Sequence, residues 1–332
     1  MRIPFVIKRA AAAIGAGIML MSFASCGKAE IHELNLEHNT KVPPKMMFLG
    51  DSIAAGYGLE GYKKGDNYHC QSYSNILKEK YERELEGECG HTMVNMAVSG
   101  YTSADLIAQI QSGELDGDLK DSDAVVISIG GNDLLGIMFG LIDSLGIEDI
   151  RSFDIKDIDF ASAAAAFISM GSDADKAIEQ FSVNMDTITS ELKKRTEGVI
   201  FVQTLYDPVA YYDQFSMLTE FAAQKILKLN NVISEKSAGG YKVIDVAADF
   251  TGRAGELTNI KKMDIHPNAA GHEVIAEDVD RSFRAVGFTY ITTEKVKDEP
   301  SYGGRVALLC GIACGVLLII IFIAFLVKRK KN

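Results

Sequence analysis

Four short segments carry the side chains that acyl transfer requires: Gly50-Asp51-Ser52-Ile53, Asn95-Met96-Ala97-Val98-Ser99-Gly100, Gly130-Gly131-Asn132-Asp133 and Asp264-Ile265-His266-Pro267-Asn268. A serine hydroxyl is a poor nucleophile until a base takes its proton. An imidazole titrates near neutrality and can take and return that proton, and a carboxylate can fix the imidazole's tautomer. Ser52, His266 and Asp264 are the candidates for these roles. A tetrahedral intermediate also needs hydrogen-bond donors at its oxyanion. The backbone amides of Ser52 and Gly100 and the side-chain amide of Asn132 could supply three, and a glycine at position 100 lets a substrate oxygen approach the main chain closely. Each segment alone is weak: GDS after a strand is more often a turn or a helix N-cap, GGND reads equally as a tight turn, and a lone histidine before proline is usually a loop residue. Their joint occurrence, in this order and at the ends of predicted strands, points to chemistry.

The elements that must position them alternate along the chain. Apolar, β-branched or aromatic runs at 45–50, 92–98, 123–129, 199–205 and 241–247 are separated by helix-like stretches. This is the pattern of βαβ units around a parallel sheet covered on both faces, a three-layer α/β domain over 45–289. In such a sheet the C-terminal strand ends share one edge, where ligands bind, so four distant segments can meet. The clearest helix is 173–195, with Ile178, Phe181, Met185, Ile188 and Leu192 along one face; a second is predicted over 71–86, with Tyr73, Ile76, Leu77, Tyr81 and Leu85 turned inward.

The segments LGDSIAAGYG, NMAVSGYT, IGGNDLL and DIHPNAAGH resemble the four signature blocks of the SGNH hydrolases, also called GDSL-type esterases and lipases, over residues 45–287. The resemblance implies a flavodoxin-like α/β/α sandwich, ester hydrolysis through an acyl-serine intermediate without metal or other cofactor, and Ser52, Gly100 and Asn132 as oxyanion donors. One position departs from the pattern. The family's acid usually stands three residues before the histidine, where this chain has Met263, whereas Asp264 is two before. Either Asp264 orients His266 through a differently bent loop, or a backbone carbonyl does so and the enzyme works with a dyad. Asp51 and Asp133 read as braces for their loops, and His272 as part of the following helix.

The two ends are apolar for another reason. Arg2, Lys8 and Arg9 precede a short apolar run ending in small residues, the make-up of an export signal over 1–26. Phe23-Ala24-Ser25-Cys26-Gly27 resembles a lipobox, which would make Cys26 a lipidated N-terminus. From Val306 to Val327 there is no charge, and 22 residues at about 1.5 Å each can cross a bilayer. Lys328, Arg329, Lys330 and Lys331 follow, so the basic tail 328–332 is expected in the cytoplasm and the α/β domain outside it, on the cell membrane. Residues 27–44 and 290–305 read as polar tethers. Gly311 and Gly315 have the spacing at which two spanning helices can pack into a weak homodimer, although most such spacings are incidental.

All 45 acidic residues lie between 27 and 305, with 27 of the 34 basic ones, so the exported part carries a net charge of −18. A surface so acidic repels nucleic acid and anionic lipid. Cys70 and Cys89 are the only cysteines between the two ends, and a helix over 71–86 holds them too far apart for a disulfide or for a zinc site with His69 and His91. Free thiols are expected. The apolar excursion 136–173 is either a lid or acyl-binding wall over the site or an extra helical pair completing the core. The expected activity is that of an extracytoplasmic serine esterase acting on a lipid acyl ester or an O-acetyl group. The alternative is an inactive surface binding protein on the same fold. A nucleotide-binding domain is disfavoured, because neither GxGxxG nor GxxxxGK follows the first strand.

Overall fold

The computed structural model of the chain describes residues 31–86, 90–144, 160–212, 216–297 and 302–330. The strands are β1 (Ile31–Thr40), β2 (Lys45–Gly50), β3 (Thr92–Asn95), β4 (Ala124–Ser128), β5 (Val199–Gln203), β6 (Lys242–Ile244) and β7 (Phe288–Lys297). Strands β2 to β6 form one parallel sheet in the order β3-β2-β4-β5-β6. Counted from β2, this is the flavodoxin-like doubly wound order, with its topological switch point between β2 and β4. The helices that bear on the site and core are α1 (Ser52–Ala55), α2 (Tyr73–Glu84), α3 (Ser103–Gln111), α4 (Gly131–Ser144), α5 (Phe160–Lys193), α6 (Ser216–Lys236), α7 (Ala269–Val286) and α8 (Tyr302–Lys330).

Alternation along the strands builds the two outer layers. Met46, Phe48, Val126 and Phe201 face one side, where Tyr73 and Tyr81 of α2 and Phe283 of α7 meet them. Met47, Leu49, Val125, Ile127, Ile200 and Val202 face the other, against Ile178, Phe181 and Met185 of α5 and Leu229 of α6. Strands apolar on both faces belong in a sheet covered on both faces. The predicted inward residues of α5 and α2 are buried, apart from the partly buried Ile76.

The end of β2 is fixed by a close approach. Gly50 has φ +113°, and a Cβ there would stand 1.8 Å from the Ser128 carbonyl oxygen. Asp51 N–H donates to that oxygen (2.9 Å), and Gly50 O accepts from Val98 N–H (2.9 Å). Gly50→Ala is expected to destabilise the chain by at least about 3 kcal/mol, through positive-φ strain and overpacking. A lowered urea midpoint would register this, and an unchanged one would contradict it.

The chain divides into two compact units, residues 39–290 and residues 1–38 with 291–332. In the second, the segments read as tethers are strands for much of their length: β1 pairs with β7 in a two-stranded sheet. His38 Nε2 lies 2.7 Å from Thr292 Oγ1, and Thr293 Oγ1 donates to Asn35 Oδ1 (2.9 Å). The run 306–327 lies within the single helix α8, 29 residues long. Among the described residues no helix is long and apolar enough to cross a membrane. The proposed export signal, Cys26 and Cys89 lie outside the described residues. Where it is described, the excursion 136–173 is the end of α4 and the start of α5, which pack so closely that a Cβ on Gly140 would meet Met170 Cε at 2.6 Å.

One buried acid makes stability depend on pH. Asp278 of α7 is buried beside Asp249, and Arg281 donates to both (2.8 Å to Asp278, 3.1 Å to Asp249). Burial, and then the neighbouring carboxylate, push Asp278 from 3.8 up to about 7. Protonated, Asp278 can share its proton with Asp249. A group whose pKa is raised on folding contributes stability that is complete below its unfolded value and is lost as pH rises through the folded one. Asp278→Asn, which keeps an acceptor for Arg281, is expected to raise the thermal midpoint at pH 8 by about 2–4 °C and to change it little at pH 4.

Candidate active site

The nucleophile loop begins where β2 ends. Asp51 caps α1: its Oδ1 accepts from Ile53 N–H (3.1 Å) and from Ser128 Oγ (3.0 Å), tying the loop to the end of β4. Buried at 1% exposure, Asp51 is pushed up to about 7, chiefly by desolvation and further by the charge of Asp133; its two hydrogen bonds oppose the shift. Ser52 is thereby the first residue of α1 and is itself buried. Gly56, at φ +80°, ends the helix, and Tyr57 N–H returns to Ser52 O (2.9 Å).

The histidine loop is shaped by Met263. After the single turn Ile260–Lys262, Met263 adopts φ +63°, the one positive φ at a non-glycine among the described residues. The chain emerges with Asp264 Oδ1 accepting from His266 N–H (3.1 Å), an i to i+2 side-chain turn of the kind Asp readily makes. The same oxygen lies 2.5 Å from His266 Nδ1. Because a carboxylate only accepts, Nδ1 carries the proton and Nε2 presents its lone pair. His266 Nε2 lies 2.9 Å from Ser52 Oγ. The loop is held by Asn259 N–H donating to His266 O (2.9 Å) and by Tyr206 Oη donating to Ile265 O (2.9 Å). Of the two readings left open by the position of Met263, the structure has the carboxylate of Asp264 at the imidazole.

The second and third segments are joined to each other. Asn132 Nδ2 donates to Tyr101 O (2.8 Å), one residue beyond Gly100. Gly100 has φ +93° and open space where a Cβ would stand. Ser103 donates to Asp133 from both its N–H (3.0 Å) and its Oγ (2.5 Å). Desolvation raises Asp133, with these bonds opposing it. Both Asp51 and Asp133 therefore brace loops. His272 is fully buried in α7; its Nδ1 accepts from Tyr73 N–H (3.2 Å), and burial lowers it to about 3, so it stays neutral. Cys70 is a free, buried thiol, and no cluster that could hold a metal occurs among the described residues.

A hydroxyl, an imidazole and a carboxylate in series, on loops at the C-terminal edge of a parallel sheet, can carry out nucleophilic acyl transfer. The model of the GDSL-like Lipase/Acylhydrolase family matches residues 48–274, a span that contains Ser52, Gly100, Asn132, Asp264 and His266. The chain belongs to this family. As a GDSL-like acylhydrolase, it is an ester hydrolase of the esterase/lipase type. It is similar to the spore germination lipase LipC of Bacillus licheniformis, 27% identical over 72% of this chain and 94% of that one. It is also similar to the uncharacterized protein YpmR of Bacillus subtilis, 22% identical over 80% and 89% of the two chains. Among solved structures, the extracellular lipase of Streptomyces rimosus shares the fold, with a TM-score of 0.53 at 18% identity, covering 71% of this chain and 98% of that one.

Four residues of this acylhydrolase site escape a reading by residue type. Tyr57 packs against the His266 ring, tilted by 52° with centroids 4.5 Å apart. Gly58, at φ +87°, backs Asp264: a Cβ there would meet Asp264 Oδ2 at 3.1 Å and His266 Cβ at 3.2 Å. Asn259 and Tyr206 hold the histidine loop through the bonds given above. The only sequence signal among these is Gly56-Tyr57-Gly58, an aromatic residue between two glycines so close to Ser52.

Proposed function

We propose that the chain is an extracytoplasmic, membrane-anchored serine esterase. Ser52 Oγ attacks the ester carbonyl as His266 Nε2 takes its proton, and Asp264 holds the imidazole's tautomer and stabilises the imidazolium. The oxyanion is received by the backbone N–H groups of Ser52 and Gly100 and by the Asn132 Nδ2 hydrogen not given to Tyr101. His266 then protonates the leaving alcohol, and water, with His266 as base, releases the acid from acyl-Ser52. The observation that carries this reading is the unbroken series from Ser52 Oγ to His266 at 2.9 Å and from His266 to Asp264 at 2.5 Å.

The apolar excursion after Asn132 and the similarity to a spore germination lipase support a hydrophobic acyl group, with an O-acetyl group as the other candidate ester. The export-type N-terminus and the apolar run before Lys328–Lys331 support an anchor at the outer face of the cell membrane. Gly311 and Gly315 lie in that run, where a second copy could pack. The test is a panel of aryl esters of increasing acyl length, beside an acetylated glycan, given to the full chain. Turnover rising with acyl length marks a lipid acyl esterase, and release of acetate from the glycan marks a deacetylase. No turnover of any substrate by folded protein would leave the binding-protein alternative.

A further inference from the structure

Tyr57 is large, aromatic and 41% exposed, so burial in the core does not account for its placement. The backbone dictates that placement. Gly56 at φ +80° and Gly58 at φ +87° flank it in conformations that side-chain-bearing residues rarely adopt, and its own N–H is tied to Ser52 O (2.9 Å). The ring is thereby carried by the same loop as the hydroxyl and set against the imidazole, with centroids 4.5 Å apart and planes at 52°. Tyr62 packs edge-on against Tyr57 at 5.3 Å and limits its swing. Gly58 closes the same wall against Asp264 and His266 Cβ.

We infer that Tyr57 is a positioning residue, whose ring holds the His266 imidazole with Nε2 toward Ser52 Oγ and favours the imidazolium formed as Ser52 attacks. The negative face of an aromatic ring attracts a cation within about 6 Å of its centroid. In the attack step His266 gains positive charge as it takes the Ser52 proton, so the attraction grows toward the transition state and acts on kcat rather than on ground-state binding. The inference rests on the Ser52–His266 reading given under Proposed function.

The test measures kcat and KM for p-nitrophenyl acetate, together with the rate at which a fluorophosphonate probe labels the full chain. Tyr57→Leu is expected to lower kcat and the labelling rate in parallel by about threefold to thirtyfold, with KM held within about twofold. Tyr57→Phe and Tyr57→Trp, which keep an aromatic face, should restore most of the rate. Tyr57→Gln gives the same test if the leucine variant folds poorly. Unchanged kcat and labelling in the leucine and glutamine variants would overturn the inference, and so would a loss confined to KM, which marks a substrate contact. Failure of folded wild-type protein to label at all would instead overturn the Ser52 reading and this inference with it.

Discussion

Ser52→Ala is expected to lower kcat/KM for a small aryl ester by at least about 10⁴-fold, as removal of the nucleophile does in serine hydrolases generally. Its thermal midpoint should stay within about 2 °C of wild type. The two parts of this expectation have separate physical grounds. Catalysis fails because His266 Nε2, 2.9 Å from Ser52 Oγ, has no proton to take and no covalent intermediate can form. Folding survives because the cap of α1 belongs to Asp51, whose bonds to Ile53 N–H and Ser128 Oγ do not involve the serine side chain. A large fall in the midpoint would mean that the hydroxyl is structural, and retained turnover would mean that another group attacks.

Asp264→Asn is expected to lower kcat by about 10³–10⁴-fold, the scale on which loss of the orienting carboxylate acts in a Ser-His-Asp triad. Asn can keep the acceptor for His266 N–H (3.1 Å), and with it the loop's turn. That same position also meets Nδ1 (2.5 Å). The Asn oxygen there keeps the turn but brings no charge to stabilise the imidazolium. The Asn nitrogen there gives up the turn's acceptor and donates to Nδ1, which moves the imidazole proton to Nε2 and blocks general-base action. A loss of less than about tenfold, under 1.4 kcal/mol, would show that His266 is held well enough by the rest of its loop and that the enzyme works as a dyad. Measuring kcat over a range of pH separates a wrong tautomer, which depresses the whole profile, from a simple change in the working range.

The sheet and its covering helices were legible because they rest on local patterns. Runs such as Lys45–Gly50 and Ala124–Ser128 are apolar on both faces, and Ile178, Phe181, Met185, Ile188 and Leu192 repeat at helical spacing; all five are buried. Other features depend on partners far away in the chain. β1 and β7 read as polar tethers because each alone lacks a buried face, and their pairing joins segments some 250 residues apart. The predicted strand 241–247 stops at Ile244 because Asp245 caps a short helix over Val246–Phe250. The predicted helix 173–195 begins earlier, at Phe160, since the alanine-rich stretch read as an apolar excursion has high helix propensity.

In the candidate site, residue types pointed to Ser52, Asn132, Asp264 and His266, but not to how an acid two residues before the histidine could reach it. That answer lies in the positive φ of Met263 and in the double use of Asp264 Oδ1. Methionine carries no preference for that conformation, so no reading of residue types could have found it.

The most direct test of the central claim, that Ser52 is a nucleophile activated by His266, is fluorophosphonate labelling of the folded full chain followed by peptide mass mapping. The expected result is a single adduct on Ser52, absent from Ser52→Ala and strongly slowed in His266→Gln. An adduct on another residue, or none on protein that is folded and hydrolysing esters, would contradict the account.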